Sequence, residues 1–200
     1  LLYPGAQVCQ SFGNEHFYYT SCVMNCVFDC EYCYLKGMYP SANLVVFVNL
    51  EDIFAEVEKR LAAHPVYLCV SYDTDLLALE HLTGYAARWI EFVRRVNADG
   101  QRLRIELRTK GTGGSLASLA GRLAGAKAAM EHGFSVRLCF DPMIYCSDWK
   151  NHYDAMLAQV CGTLDLEKLS DVSVGTFRIS QDYLKKMRKN EPDSAVVQFP

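Results

Sequence analysis

The stretch Ser21-Cys22-Val23-Met24-Asn25-Cys26-Val27-Phe28-Asp29-Cys30-Glu31-Tyr32-Cys33-Tyr34-Leu35 decides how the rest of the chain is read. Within it Cys26, Cys30 and Cys33 have the spacing C-x3-C-x2-C, which puts three thiolates on one short loop, close enough to face a single cubic iron-sulfur cluster. Three ligands on a four-iron cluster leave one iron open, and an open iron can hold a small molecule while an electron is delivered to it. A structural zinc site is the competing reading. It wants a fourth Cys or His, with Cys22 the residue on offer, and its pairs usually start C-x2-C. Disulfides are disfavoured because Cys30 and Cys33 lie in a long chain with no visible secretory segment.

Working outward, 200 residues of which 50% are hydrophobic are enough for one domain with a sizeable core. No apolar run reaches the length of a membrane span, and no targeting signal is visible. Nine cysteines fit a reducing compartment, so a cytoplasmic location is expected. The net charge of −3 gives no bulk electrostatic support for a nucleic-acid partner. One local run, Arg178, Lys185, Lys186, Arg188 and Lys189, either tracks a phosphate backbone or is a solvated helix face.

The periodicity predicts alternating strands and helices. Strands are expected at Phe17 to Thr20, Val66 to Val70, Leu103 to Leu107, Val136 to Phe140, Val172 to Phe177 and Val196 to Phe199, and the apolar run Leu44 to Val48 reads either as a short strand or as the start of the next structural unit. Asn49 opens a helix whose face is Ile53, Phe54, Val57 and Leu61. One long helix is drawn through Leu79, Leu82, Ala86, Trp89, Ile90, Val93 and Val96, and another through Leu116, Leu119, Leu123, Ala126 and Met130. Helices are also expected at His152 to Val160 and Asp182 to Lys189. Repeated alternation with nearly continuous apolar strands argues a parallel sheet with helices on one side, in too few units for a closed eight-stranded barrel. The strand Val66 to Val70 ends in Ser71-Tyr72-Asp73-Thr74-Asp75, a polar cluster at the edge where α/β sheets carry chemistry.

The aromatic-flanked Tyr32-Cys33-Tyr34 resembles the motif of the radical S-adenosylmethionine superfamily. More narrowly, His16 to Cys22, Cys30 to Leu35, Pro40 to Asn43, Val48 to Ile53, Glu80 to Thr83 and Asp141 to Tyr145 are similar to segments of the spore photoproduct lyase family. The resemblance runs in pieces from about residue 16 onward. It implies an α/β fold, a partial (β/α) barrel, over residues 1–200 as a single domain, in a fragment or shortened form. Relative to the family, one internal strand-helix unit after Thr109-Lys110 and the C-terminal part are missing. A missing interior strand either opens the sheet or forces the strands around Leu107 and Val136 to pair.

The resemblance also implies a lyase of DNA repair in sporulation. A 4Fe-4S cluster on Cys26, Cys30 and Cys33 would bind S-adenosyl-L-methionine and yield a 5′-deoxyadenosyl radical, which takes hydrogen from C6 of 5-thyminyl-5,6-dihydrothymine. The crosslink then breaks, and a protein group returns a hydrogen atom. Implied partners are ultraviolet-damaged DNA and a low-potential donor such as a flavodoxin or ferredoxin, with no membrane. Tyr32 falls on the cofactor side. Tyr34 falls on the substrate or radical-relay side, and both rings equally suit packing of the loop. Lys110 and Tyr145 are substrate-binding candidates. For the hydrogen donor, the alignment of Glu80 to Thr83 puts Tyr72 where one family branch has a cysteine; Cys69, three residues earlier, is the first candidate, then Tyr72, then Cys139. Asp73 and Asp75 are candidate cofactor binders, with a helix cap the other reading of Asp75. Two rival functions stay open: a radical enzyme acting on another nucleobase or small substrate, and a nonenzymatic metal-binding remnant.

Overall fold

The computed structural model describes residues 1–5, 10–112 and 115–198. Its contacts divide the chain into two compact units, Leu1–Phe28 with Ala42–Ser115, and Asp29–Ser41 with Leu116–Pro200. Cys9, Phe199 and the Gly113-Gly114 pair of the expected deletion site lie outside the described residues.

In the first unit a four-stranded sheet is built on Val66–Cys69, which pairs in parallel with Phe17–Tyr19 on one side and Leu103–Glu106 on the other; Tyr3–Pro4 adds an antiparallel edge. All four residues of the central strand are buried, as a strand covered on both faces must be. The register sorts the side chains. Tyr18, Leu68 and Ile105 share one face and pack into the main core with Leu50, Ile53 and Val57 of helix Leu50–Leu61 and Trp89 and Phe92 of helix Tyr85–Val96. Phe17, Tyr67 and Arg104, then Tyr19, Cys69 and Glu106, share the other.

The long helix drawn from Leu79 to Val96 is interrupted. A 3-10 turn at Leu76–Leu79 and a short helix at Glu80–Thr83 end at Gly84, whose φ of +61° starts the helix Tyr85–Val96 afresh. The Glu80 carboxylate caps this second helix, accepting from Ala86 N at 2.7 Å and Ala87 N at 3.0 Å. Leu82, placed on the expected apolar stripe, is 74% exposed because the stripe's register is lost at Gly84.

The second unit holds the parallel pair Arg137–Met143 and Asp171–Thr176. Helices Leu119–Glu131 and Trp149–Thr163 pack around Leu123, Val160 and Leu164, against Leu138 and Phe140 of the sheet. Helix Leu35–Met38, after the last loop cysteine, lies against helix Gln181–Asn190. Three expectations are corrected. The strand expected at Val136 to Phe140 runs on through Asp141-Pro142 to Met143. Leu116 belongs to a short strand, Ser115–Leu116, rather than to the following helix. Ala195–Gln198 is a helical turn where a strand was expected, since a four-residue Val-containing run carries no period long enough to tell the two apart. Strand Leu103–Glu106 stands at one edge of the four-stranded sheet, which among the described residues is open there.

Candidate functional site

Three parallel strands bring their C-terminal ends to one edge of the first unit, and the Ser71 to Asp75 cluster ties them together. Ser21 donates its hydroxyl to Asp73 Oδ2. Ser71 Oγ accepts from Arg108 N at 3.0 Å, and Asp75 Oδ2 accepts from Thr109 Oγ1 at 2.9 Å and from Lys110 N at 2.6 Å. Asp73 and Asp75 are both buried. Asp75 stands at the start of the 3-10 turn without a side-chain capping bond, so its carboxylate serves the neighbouring strand end and not the turn. The second oxygen, Asp75 Oδ1, and the hydroxyl of Thr74 are buried with no hydrogen-bond partner among the described residues. Buried orphan acceptors at the edge of an α/β sheet fit a polar ligand brought there from outside.

Cys69 is fully buried on the face turned away from the helices, between Tyr19 and Glu106 in the register. Burial pushes its thiol up to about 11, against a downward pull from Arg108, so at neutral pH the sulfur keeps its proton. The face around it is aromatic and polar. The Tyr72 ring packs on Tyr19 with centroids 4.4 Å apart, and the Arg108 guanidinium lies 5.7 Å from the Tyr72 centroid. Glu106 is bonded by Arg108 Nε and accepts from Tyr67 Oη at 2.5 Å. Sequence reading missed Tyr67, Glu106 and Arg108. The alternation Tyr67, Cys69 against Leu68, Val70 was the signal that could have found them.

The loop cysteines are half-buried thiols, and none of the described cysteines is in a disulfide. Cys26 lies in the first unit's part of the loop, just after Asn25, which has φ +67° and whose amide donates to Asn43 O at 2.8 Å. Cys33 N bonds Cys30 O at 3.0 Å, a turn that leads into helix Leu35–Met38. Among the described residues no three His, Cys, Asp or Glu side chains converge on a metal-binding point. The donor set itself, three accessible thiols at C-x3-C-x2-C, fits an iron-sulfur cluster. Cys22, the fourth ligand of the zinc reading, does not stand with them. It is fully buried in the main core, accepts the Trp89 indole N–H at 3.2 Å and directs its thiol to Val70 O at 3.8 Å, and burial pushes its pKa up to about 11.

Tyr32 and Tyr34 are half-buried in the second unit, Tyr34 at the N-terminal end of helix Leu35–Met38. Lys110 is half-buried and held through its backbone by Asp75. Cys139 is exposed on strand Arg137–Met143 opposite Ser173, and Tyr145 is 87% exposed beside Trp149. The structure thus gathers Cys69, Tyr72, Asp73, Asp75 and Lys110 within the first unit, while Cys139 and Tyr145 belong to the second. Among the described residues no helix is long and apolar enough to cross a membrane.

No family model matches the chain. A spore photoproduct lyase of Geobacillus sp. (strain Y412MC61) is 33% identical over 72 residues, 34% of this chain and 21% of that protein. A double mutant of spore photoproduct lyase, solved with bound AdoMet and dinucleoside spore photoproduct, superposes with a TM-score of 0.74 at 20% identity, covering 89% of this chain and 62% of that one. A spore photoproduct lyase complexed with dinucleoside spore photoproduct gives a TM-score of 0.70 at 20% identity and the same coverage. The likeness to these structures shows the fold. The chain spans about three fifths of their length.

Proposed function

We propose that this chain belongs to the spore photoproduct lyase family of the radical S-adenosylmethionine superfamily and is a DNA-repair lyase that returns 5-thyminyl-5,6-dihydrothymine in ultraviolet-damaged DNA to two thymines, a reading supported by its likeness to spore photoproduct lyases in sequence and fold. Cys26, Cys30 and Cys33, half-buried thiols at C-x3-C-x2-C, would hold the cluster. When bound, the cluster and S-adenosyl-L-methionine supply a 5′-deoxyadenosyl radical. The orphan acceptors Asp75 Oδ1 and Thr74 Oγ1 suit the cofactor's amino or ribose donors.

The observation that carries the reading is Cys69. When a cysteine returns a hydrogen atom to the thymine radical, an S–H bond breaks and a thiyl radical is left, so a cysteine donor must be the thiol and not the thiolate. Burial keeps Cys69 protonated, and it lies on the sheet face opposite helices Leu50–Leu61 and Tyr85–Val96, in one cluster with Tyr72. Tyr72, a phenol that can also donate hydrogen, is packed by Tyr19 and Arg108. The cytoplasm, with its low-potential flavodoxins and ferredoxins, is the compartment this chemistry needs.

The test is electron paramagnetic resonance of the anaerobically reconstituted, reduced protein with and without S-adenosyl-L-methionine. A cluster signal that changes on adding the cofactor is expected. A signal that ignores it overturns the reading and leaves the chain a metal-binding relative.

A further inference from the structure

The segment carrying the last two loop cysteines is fastened at several points to one helix of its own unit. Lys36, three residues after Cys33, has a side chain only 16% exposed; its ammonium sits 2.7 Å from Asp29 Oδ1 and 3.1 Å from Glu191 Oε1. Glu31, next to Cys30, accepts from the hydroxyl of buried Ser194 at 2.9 Å. Gly37 packs directly on the backbone of helix Gln181–Asn190, where a Cβ at this position would come within 2.5 Å of Tyr183 O and 2.8 Å of Tyr183 Cα. Met187 of that helix is fully buried, while Lys185, Lys186, Arg188 and Lys189 are exposed. Asp29, Glu31, Lys36 and Gly37 therefore bracket Cys30 and Cys33 on both sides. The backbone between them is closed by Cys33 N to Cys30 O at 3.0 Å and Lys36 N to Cys33 O at 3.2 Å.

We propose that helix Gln181–Asn190 and the Glu191 to Ser194 segment after it brace the cysteine loop, with Lys36, Glu31 and Gly37 as positioning residues for the thiols of Cys30 and Cys33. The inference rests on the cluster-binding reading above. Groups that orient metal ligands without touching the metal govern how tightly it is held, and losing one costs about 10–100-fold in affinity. A half-buried lysine whose ammonium bridges two carboxylates and a glycine with no room for a methyl hold the loop's backbone, and so the directions of its thiols, before any cluster arrives.

The test is release of iron to a chelator from the reconstituted full chain, followed anaerobically by iron content and cluster absorbance, beside thermal unfolding of the same samples. Lys36→Gln and Ser194→Ala are expected to release iron about tenfold faster than the parent, and Lys36→Arg to restore most of the retention. Gly37→Ala is expected to release faster still. Leu123→Ala, which opens the core of the same unit away from the loop, lowers the unfolding temperature without changing release. If Lys36→Gln and Gly37→Ala release iron at the parent rate while Cys30→Ala takes up none, the brace is wrong and the cluster reading stands. If the parent and Cys30→Ala take up equal iron, the cluster reading falls, and the brace falls with it.

Discussion

Replacing Asp75 tests how the C-terminal edge of the first unit's sheet is held. Asp75 Oδ2 takes two hydrogen bonds, from the Thr109 hydroxyl and the Lys110 amide, and the residue is 5% exposed. A hydrogen bond to a charged partner contributes about 1.5–3 kcal/mol. Against this, Asp75→Ala removes a buried oxygen, Oδ1, that has no partner among the described residues and costs about 1–3 kcal/mol to desolvate. The net loss is about 2–3 kcal/mol. Asp75→Asn keeps one carbonyl oxygen for both donors and should lose only about 1 kcal/mol. Urea unfolding at unchanged m gives both values. Hydrogen exchange adds a local readout, since the Lys110 amide should lose protection in Asp75→Ala and keep it in Asp75→Asn. Equal stability of all three proteins, or an undisturbed Lys110 amide in Asp75→Ala, would refute the assignment of Asp75 to the strand end.

Other consequences follow from the buried thiols and the broken helix. Cys22 and Cys69 each rise from 9.0 to about 11 on folding. The folded chain therefore binds more protons than the unfolded one between these values; stability is intact below pH 9 and falls as pH rises toward 11, by up to about 1.4 kcal/mol per pH unit for each thiol. Alkylation at pH 8 should spare both while labelling exposed Cys139, Cys146 and Cys161; rapid labelling of Cys69 in the folded chain would contradict its burial. Glu80→Ala, which strips the cap from helix Tyr85–Val96, should cost about 1 kcal/mol in the same urea assay, and no change would mean the helix start is held by packing alone.

Much of the fold was legible because burial imposes period. Val66 to Val70 reads as a fully covered strand, and Ile53, Val57 and Leu61 mark one helix face at spacings of four; the structure has both. The break at Gly84 was hidden because Leu79, Ala86 and Trp89 keep a helical spacing across it, while the positive φ that resets the helix leaves no trace in the apolar pattern. At the site, the cysteine loop and the Ser71 to Asp75 cluster could be read from spacing and from their place after a strand. What Asp75 binds could not, since Thr109 and Lys110 come 34 and 35 residues later and meet it only through the parallel register. Lys36 and Gly37 were invisible for the same reason: their partners Glu191 and Tyr183 are brought to them by tertiary packing.

The central claim meets its most direct test in a single turnover assay. The chain is reconstituted anaerobically with iron and sulfide, reduced, and given S-adenosyl-L-methionine with dinucleoside spore photoproduct, and the products are separated. The account predicts the repaired thymine dinucleoside in the parent, and its loss in Cys30→Ala. Cofactor cleavage to 5′-deoxyadenosine with the lesion left intact would contradict it.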